Sequence, residues 1–527
     1  MSAHTVINLA SHVSRHAFNR PQSSSIRWGE TILDYQTLEA RVRSVASGLR
    51  SLGLTSGDVL AVQLPNSLEF VVALLAANRI GVVTQTVHMP YRRAELAGLL
   101  AHSRAQAFIG VSQFKDFSPA QTVLDLRSDP VHGLDRMRHV IAVGDPRAGA
   151  IHWATLAASA PDTAPGASDI DAPFVLLYTS GTTTSPKGIL TPARRFIKNA
   201  SQAVTELGLA QQDVILSAAP FTHLYGLFAL QCALIAGASI SLLPAFSPAD
   251  LTATVQRDKP THIFAGPAHF KPLLDQELMQ PADYSSTRVL CLSGTTVPLA
   301  LAKAVEARLP KGVVIQLWGM SELQAGSYAR PGDPAEIRLE TAGRAAPEIQ
   351  LQVVDDSNRP LAPGLEGRLR VKGPSVFEAY LDNPAESNAS LVDGWFDTGD
   401  TAILRADGGL VITGRVKELI NRGGIKFNPV DVETILDAVA GVARCILAPM
   451  PDPVLGERTC AFVLRNGKSP VTLDRLLEAL QSAGIAKFKW PERLEFVDDF
   501  PITPTQKVRR SALTASLTAR SATGAPS

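Results

Sequence analysis

The stretch Val175-Leu-Leu-Tyr-Thr-Ser-Gly-Thr-Thr-Thr-Ser-Pro-Lys-Gly188 decides how the chain is read. A short apolar run suited to a buried strand opens into hydroxyl residues, two glycines and one lysine. That composition suits a loop folded around phosphate. Glycines admit close backbone approach, hydroxyls and backbone N–H groups donate to phosphate oxygens, and Lys187 supplies a cation. It is not the Walker arrangement, because Gly188 rather than Ser or Thr follows the lysine. Taken alone, the stretch reads equally well as a Ser/Thr-rich turn.

On either side of this stretch the sequence alternates helix and strand patterns. Tyr35–Leu52 sets Leu38, Val42, Val45 and Leu49 on one helical stripe, with Gly53 placed to cap it. Val59–Leu64 reads as a buried strand, Phe70–Asn78 as a helix and Gly81–Val87 as the next strand. Similar strands follow at 215–218, 240–243, 262–265, 289–292 and 314–317. Such alternation predicts doubly wound α/β layers with mainly parallel strands.

A Pro/Ala/Asp-rich linker spans 161–173, and residues 349–415 change to short alternating strands with Gly- and Asp-rich turns, a β-rich subdomain. After Gly414 the pattern becomes a compact α+β unit, with helices at 431–439 and 473–481 and strands at 445–448 and 461–464. The tail beyond Leu513 reads as frayed. The expected organisation is an N-terminal region 1–416, with subdomains near 1–170, 171–348 and 349–416, and a C-terminal domain 417–527.

Composition narrows the function classes. Hydrophobic residues make up 45% of the 527 positions and charged ones 19%, which excludes general disorder. A formal net charge of +1 provides no global field for nucleic acid or an anionic membrane. Cys232, Cys291, Cys445 and Cys460 are scattered, without a CxxC pair, so neither a disulfide framework nor a structural zinc site is expected. A reducing, cytoplasmic setting fits. The N-terminus lacks the apolar core of a secretory signal. Residues 226–246 carry no charge, but Gly237, Ser239 and Ser241 divide them into a buried helix and a buried strand rather than a membrane span.

Five motifs in order carry a resemblance. They are Tyr178-Thr-Ser-Gly-Thr-Thr-Thr-Ser-Pro-Lys-Gly188, Trp318-Gly-Met-Ser-Glu322, Gly394-Trp-Phe-Asp-Thr-Gly-Asp400, Gly414-Arg-Val-Lys-Glu-Leu-Ile420 and Pro501-Ile-Thr-Pro-Thr-Gln-Lys507. Together they resemble the adenylate-forming superfamily of acyl-CoA synthetases, nonribosomal adenylation domains and beetle luciferases, nearest in type to acyl- or aryl-CoA ligases. The resemblance spans essentially the whole chain. It implies a large α/β N-terminal region and a small mobile C-terminal domain that turns about a hinge at Lys417. It also implies ATP, Mg²⁺ and CoA as the reaction partners of a carboxylic acid.

The same resemblance assigns residues. Thr179, Ser180, Gly181, Thr182, Thr183, Thr184 and Lys187 would handle phosphate. Trp318, where relatives usually have Tyr or Phe, would stack on adenine, with Gly319 and Met320 beside it. Gly294, Thr295 and Thr296 resemble the second adenine loop, although the usual Gly-Ala-Pro type sequence is altered. Ser321 would bond a phosphate and Glu322 would hold Mg²⁺ through hard oxygens. Asp400 would accept from the ribose hydroxyls and Arg415 would contact ribose or phosphates. Lys507 would bridge carboxylate and α-phosphate oxygens during adenylation. Gln506 stands where glycine is common. Gly423 and Gly424 would line a pantetheine tunnel.

Pro220-Phe-Thr-His-Leu-Tyr-Gly226 corresponds to the segment that gates the acid pocket, and His223 resembles the histidine of many aryl- and acyl-CoA ligases. Thr222, with no acid nearby, argues against an α-amino acid substrate. His223, Tyr225, Gly266 and Ser293 are the expected pocket residues, and their apolar and small surroundings favour a hydrophobic aryl, alicyclic or medium-chain acid. CoA ligation is the expected second step, because no carrier or condensation sequence follows Lys507. Transfer to a carrier protein or amine is the alternative, and a nucleotide-binding pseudoenzyme the third reading.

Overall fold

The computed structural model describes residues 8–145, 148–167, 169–179, 187–422, 425–452, 456–467, 469–483, 485–503 and 508–522. They divide into two compact units, one built from 8–179, 187–350 and 372–391, the other from 351–371 and 392–522.

In the first unit the described residues form two sheets. Seven strands run in the spatial order Ile151–His152, His139–Val143, Ala107–Val111, Val59–Gln63, Val83–Thr86, Pro173–Thr179, Lys187–Pro192. Nine run in the order Arg344–Ala345, Gln324–Tyr328, Val313–Met320, Val289–Leu292, His262–Ala265, Val214–Ser217, Ser239–Ser241, Ser24–Trp28, Thr31–Asp34. Central pairings are parallel and several edge pairings antiparallel, the mixed pattern of a doubly wound fold. The helix Tyr35–Ser51 buries Leu38, Val42, Val45 and Leu49, the stripe read from the sequence. Gly53, just past its end, has a φ of +76°. Leu224–Ala236 is a helix buried on every side, ended by Gly237 in the left-handed region and followed by the strand Ser239–Ser241. Among the described residues no helix is long and apolar enough to cross a membrane.

The second unit holds two smaller sheets. One contains Gln350–Val354, Glu366–Lys372, Trp395–Leu404 and Leu410–Arg415, the short-strand region expected from the turn pattern. The other pairs Val442–Asp452 with Gly456–Arg465 and adds Ile420–Arg422, Ile425–Phe427 and Arg493–Val497. Strand alternation gives this sheet two apolar faces. Cys445, Leu447, Ala461 and Val463 pack with Val432, Leu436, Leu476 and Leu480 of the helices Pro429–Leu436 and Leu473–Ser482. Ile446, Ala448, Cys460 and Phe462 pack with Leu513 and Leu517.

That second face corrects the expectation of a frayed tail. Arg510–Ala522 is a helix, because Leu513 and Leu517, four residues apart, fall on one side and cover the sheet. A polar, small-residue composition concealed the two anchoring leucines. All four cysteines are free and buried.

Candidate active site

Four parallel strands of the larger sheet, Val214–Ser217, His262–Ala265, Val289–Leu292 and Val313–Met320, end on one edge. Ser217 sits opposite Phe264, Ala265 opposite Leu292, and Leu292 opposite Gln316. Beyond three of these ends come Pro220–His223 with the helix start Leu224–Gly226, then Gly266, then Ser293–Thr296, and the fourth strand runs on through Trp318 to Met320 before Ser321 and Glu322. Crevices beyond the carboxyl ends of strands are where open α/β sheets bind ligands. The register thus collects His223, Tyr225, Gly266, Ser293–Thr296 and Trp318–Glu322 on one rim.

At the first loop, His223 is the N-cap of Leu224–Ala236, and its Nδ1 accepts from the Tyr225 N–H at 3.3 Å. The turn before it is pinned from the smaller sheet. Asn66 accepts from the Phe221 N–H at 2.6 Å and donates to the Ala219 carbonyl at 3.0 Å. The Thr86 hydroxyl donates to the Thr222 carbonyl at 2.8 Å, and His88 Nδ1 lies 3.1 Å from the Thr222 hydroxyl. The His88 and His223 rings are 6.1 Å apart. Burial pushes His88 down to about 4, so it is neutral near pH 7.

Tyr225 is buried and donates to the Cys291 carbonyl at 2.8 Å, so its hydroxyl serves the wall of this region. Ser293 donates its N–H to the Ala265 carbonyl at 3.0 Å, and the Gly266 N–H donates to His269 Nδ1 at 2.9 Å. Gly294 has a φ of +92°, a conformation that favours glycine, and Thr295 and Thr296 beside it are exposed.

Trp318 is 9% exposed and lies across from Ser327 in the antiparallel pair that closes the strand. Gly326 makes room for it: a Cβ there would stand 2.4 Å from the indole Cζ3. A bulge between Trp318 and Gly319 turns the chain toward Met320, Ser321 and Glu322. Glu322 is 7% exposed, and its carbonyl accepts from the Phe377 N–H at 2.6 Å.

The phosphate-type loop leaves one strand and enters its neighbour, for Thr179 is paired with Lys187. Ser180, Gly181, Thr182, Thr183 and Thr184 lie outside the described residues. Lys187 forms an ion pair with Glu386, and its ammonium lies 5.0 Å from the centre of the Tyr380 ring. Tyr380 is 5% exposed and donates its hydroxyl to Glu322 Oε1 at 3.0 Å. Burial first, and the Glu322 carboxylate second, push the phenol well above its ordinary range, which keeps it a donor.

In the second unit, Asp400 and Arg415 sit opposite each other in the strand pair, with Arg415 Nε 2.6 Å from Asp400 Oδ1. Asp400 is 3% exposed and receives company from Thr398, whose hydroxyl accepts its N–H at 3.1 Å. Gly423, Gly424 and Lys507 lie outside the described residues, as does the side chain of Lys417.

Sequence reasoning did not single out His88, Gly326, Tyr380 or Glu386. His88 follows the carboxyl end of a parallel strand, a position that itself signals a site. Tyr380 and Glu386 stand over a hundred positions from Lys187, and only folding joins them.

Among the described residues no three His, Cys, Asp or Glu side chains cluster to hold a metal by themselves. One buried carboxylate at Glu322 suits Mg²⁺, which takes one or two protein oxygens and fills its other positions with phosphate and water.

Residues 13–381 match the AMP-binding enzyme family and 431–507 its C-terminal domain. The chain therefore belongs to the AMP-binding enzymes, the adenylate-forming superfamily. It is 33% identical over 96% of its length to the pyochelin synthase PchD of Pseudomonas aeruginosa, covering 92% of that protein. To the salicylyl-CoA synthase / salicylate adenylyltransferase of a Streptomyces species it is 33% identical, covering 92% of this chain and 89% of that one. Among solved structures, ATP-bound MatB from Rhodopseudomonas palustris superposes with a TM-score of 0.87 at 25% identity, covering 97% of this chain and 98% of MatB.

Proposed function

We propose that the protein is an AMP-forming acid–CoA ligase acting on a hydrophobic carboxylic acid, with aryl acids the foremost class. The observation that carries this reading is the Lys187–Tyr380–Glu322 cluster, which joins the phosphate-type loop to the buried carboxylate at the rim of parallel strands. A salicylyl-CoA synthase / salicylate adenylyltransferase among the relatives supports an aromatic acid.

The chemistry has two halves. A carboxylate oxygen attacks the α-phosphorus of ATP, the bond to the bridging oxygen breaks, and pyrophosphate leaves, giving acyl-AMP. A CoA thiolate then attacks the acyl carbon and AMP departs. The first step needs positioning and charge neutralisation more than acid–base groups. Bound Mg²⁺ supplies positive charge to the phosphates. Glu322 would hold it with the phosphates, Lys187 and the hydroxyl loop would bind phosphate oxygens, and Trp318 would carry the adenine. Asp400 and Arg415 would take the ribose. His223 would face the acid, with Tyr225, Gly266 and Ser293 shaping its pocket. Lys507 would serve adenylation alone, and Lys417 would be the hinge between an N-terminal region 1–416 and a C-terminal domain 417–527. Gly423 and Gly424 would face pantetheine. The four free, buried cysteines support a cytoplasmic setting.

A second reading, transfer of the acyl group to a carrier protein or amine, is favoured by the relative named as a pyochelin synthase. Pyrophosphate release over a panel of aryl, alicyclic and medium-chain acids, with and without CoA, tests both. Acid-dependent pyrophosphate with a CoA ester supports the ligase. Acyl-AMP without CoA ester supports the second reading, and no acyl-AMP with any acid would leave a nucleotide-binding pseudoenzyme.

A further inference from the structure

Tyr380 is tied to two separate parts of the site. Its backbone forms an isolated antiparallel bridge with Ile189, and the next residue, Leu381, donates its N–H to the Gly188 carbonyl at 2.7 Å. Those contacts lock it to the strand that leaves the phosphate-type loop. Ser387 accepts the Tyr380 N–H at 2.9 Å, and the Phe377 ring packs 4.6 Å away, centre to centre. Backbone and ring are thus held independently of the hydroxyl, which reaches the carboxylate of Glu322 on the opposite loop.

We propose that Tyr380 is a positioning residue that orients the Glu322 carboxylate for the cation on the nucleotide phosphates, while its ring and Glu386 set the place of Lys187. This rests on the adenylating function proposed above. The physical reason is burial. A carboxylate 7% exposed has little water to orient it, so a fixed donor on Oε1 restricts where its other oxygen points. The ring meanwhile gives the Lys187 ammonium an apolar face whose charge distribution attracts a cation. Glu386 shares that ammonium, so phosphate binding competes with an ion pair already present. Tyr380 touches neither the acid nor the reacting phosphorus in this assignment. It acts through Glu322 and Lys187.

The test is nucleotide binding to the full chain, measured by calorimetry without any carboxylic acid, in Mg²⁺ and in EDTA. Tyr380→Phe keeps the ring and removes only the hydroxyl. Its Kd for ATP in Mg²⁺ should rise about tenfold, with less than about a twofold change in EDTA. Tyr380→Phe combined with Glu322→Gln should bind no more weakly than Glu322→Gln alone, since the hydroxyl acts through that carboxylate. Tyr380→Leu should weaken binding in EDTA as well, because Lys187 loses its ring. Equal weakening by Tyr380→Phe with and without Mg²⁺, additive losses in the double variant, or unchanged binding in Mg²⁺ would each overturn the proposal. Wild-type protein that binds no ATP would overturn the ligase reading too, whereas normal wild-type binding with a silent Tyr380→Phe overturns this one alone.

Discussion

Arg415 Nε lies 2.6 Å from Asp400 Oδ1, across an antiparallel pair in which the two residues face each other. The aspartate is buried and the arginine partly exposed, so the carboxylate has a fixed orientation in a protected setting. Asp400→Asn should lower kcat/KM for ATP by about ten- to a hundredfold, the loss expected from hydrogen bonds to a charged acceptor. Arg415→Lys should lower it less, keeping charge but losing the planar fork. Steady-state ATP kinetics check both, and wild-type values for Asp400→Asn would remove that residue from the site.

Gly326 controls the seat of Trp318. A methyl group at 326 would stand 2.4 Å from the indole and 2.7 Å from Leu323 Cδ1. Gly326→Ala should therefore destabilise the protein by about 1–3 kcal/mol through overpacking and raise the KM for ATP. Adding Trp318→Phe removes the larger ring and should restore part of the lost stability. Thermal melts of the two variants decide it, for a second substitution that only adds to the loss contradicts the contact.

Acid should weaken the fold through histidines buried in neutral form. His88 and His269 are both pushed down to about 4 from 6.5 by burial, and His16 likewise to about 4 by burial and then Arg20. Between about pH 6.5 and 4 the unfolded chain binds protons that the folded chain does not. Stability therefore falls as pH falls through that window, by up to about 1.4 kcal/mol per pH unit for each histidine. His88→Gln should make denaturant midpoints less steep in pH across the window. An unchanged slope would mean that His88 takes up its proton alike in the folded and unfolded chains.

Lys507→Ala should abolish acyl-AMP formation while thioester formation from supplied acyl-AMP and CoA stays within about threefold of wild type. The basis is that a cation placed on developing phosphate charge acts in one half-reaction only. Separate assays of the halves read the outcome, and equal losses in both would contradict the proposed division.

The sequence was informative wherever chemistry is written locally. Leu38, Val42, Val45 and Leu49 announced their helix through spacing, and the apolar run from Val175 announced its strand. It was silent on the helix Arg510–Ala522, because two leucines in a polar tail acquire meaning only when a sheet face lies opposite them. His88 was equally hidden, since nothing in its neighbours shows that Thr222 will be 3.1 Å away.

The doubly wound α/β plan, the order of the five motifs and membership of the AMP-binding enzymes could all be read along the chain. Periodicity and short motifs survive in one dimension because they depend on near neighbours along the chain. It took the folded chain to show that Tyr380 joins Glu322 to Lys187, that Glu386 pairs with the lysine, and that Gly326 makes room for Trp318. Those relations depend on strand register and buried approach, which bring together residues whose separation in sequence carries no record of their contact.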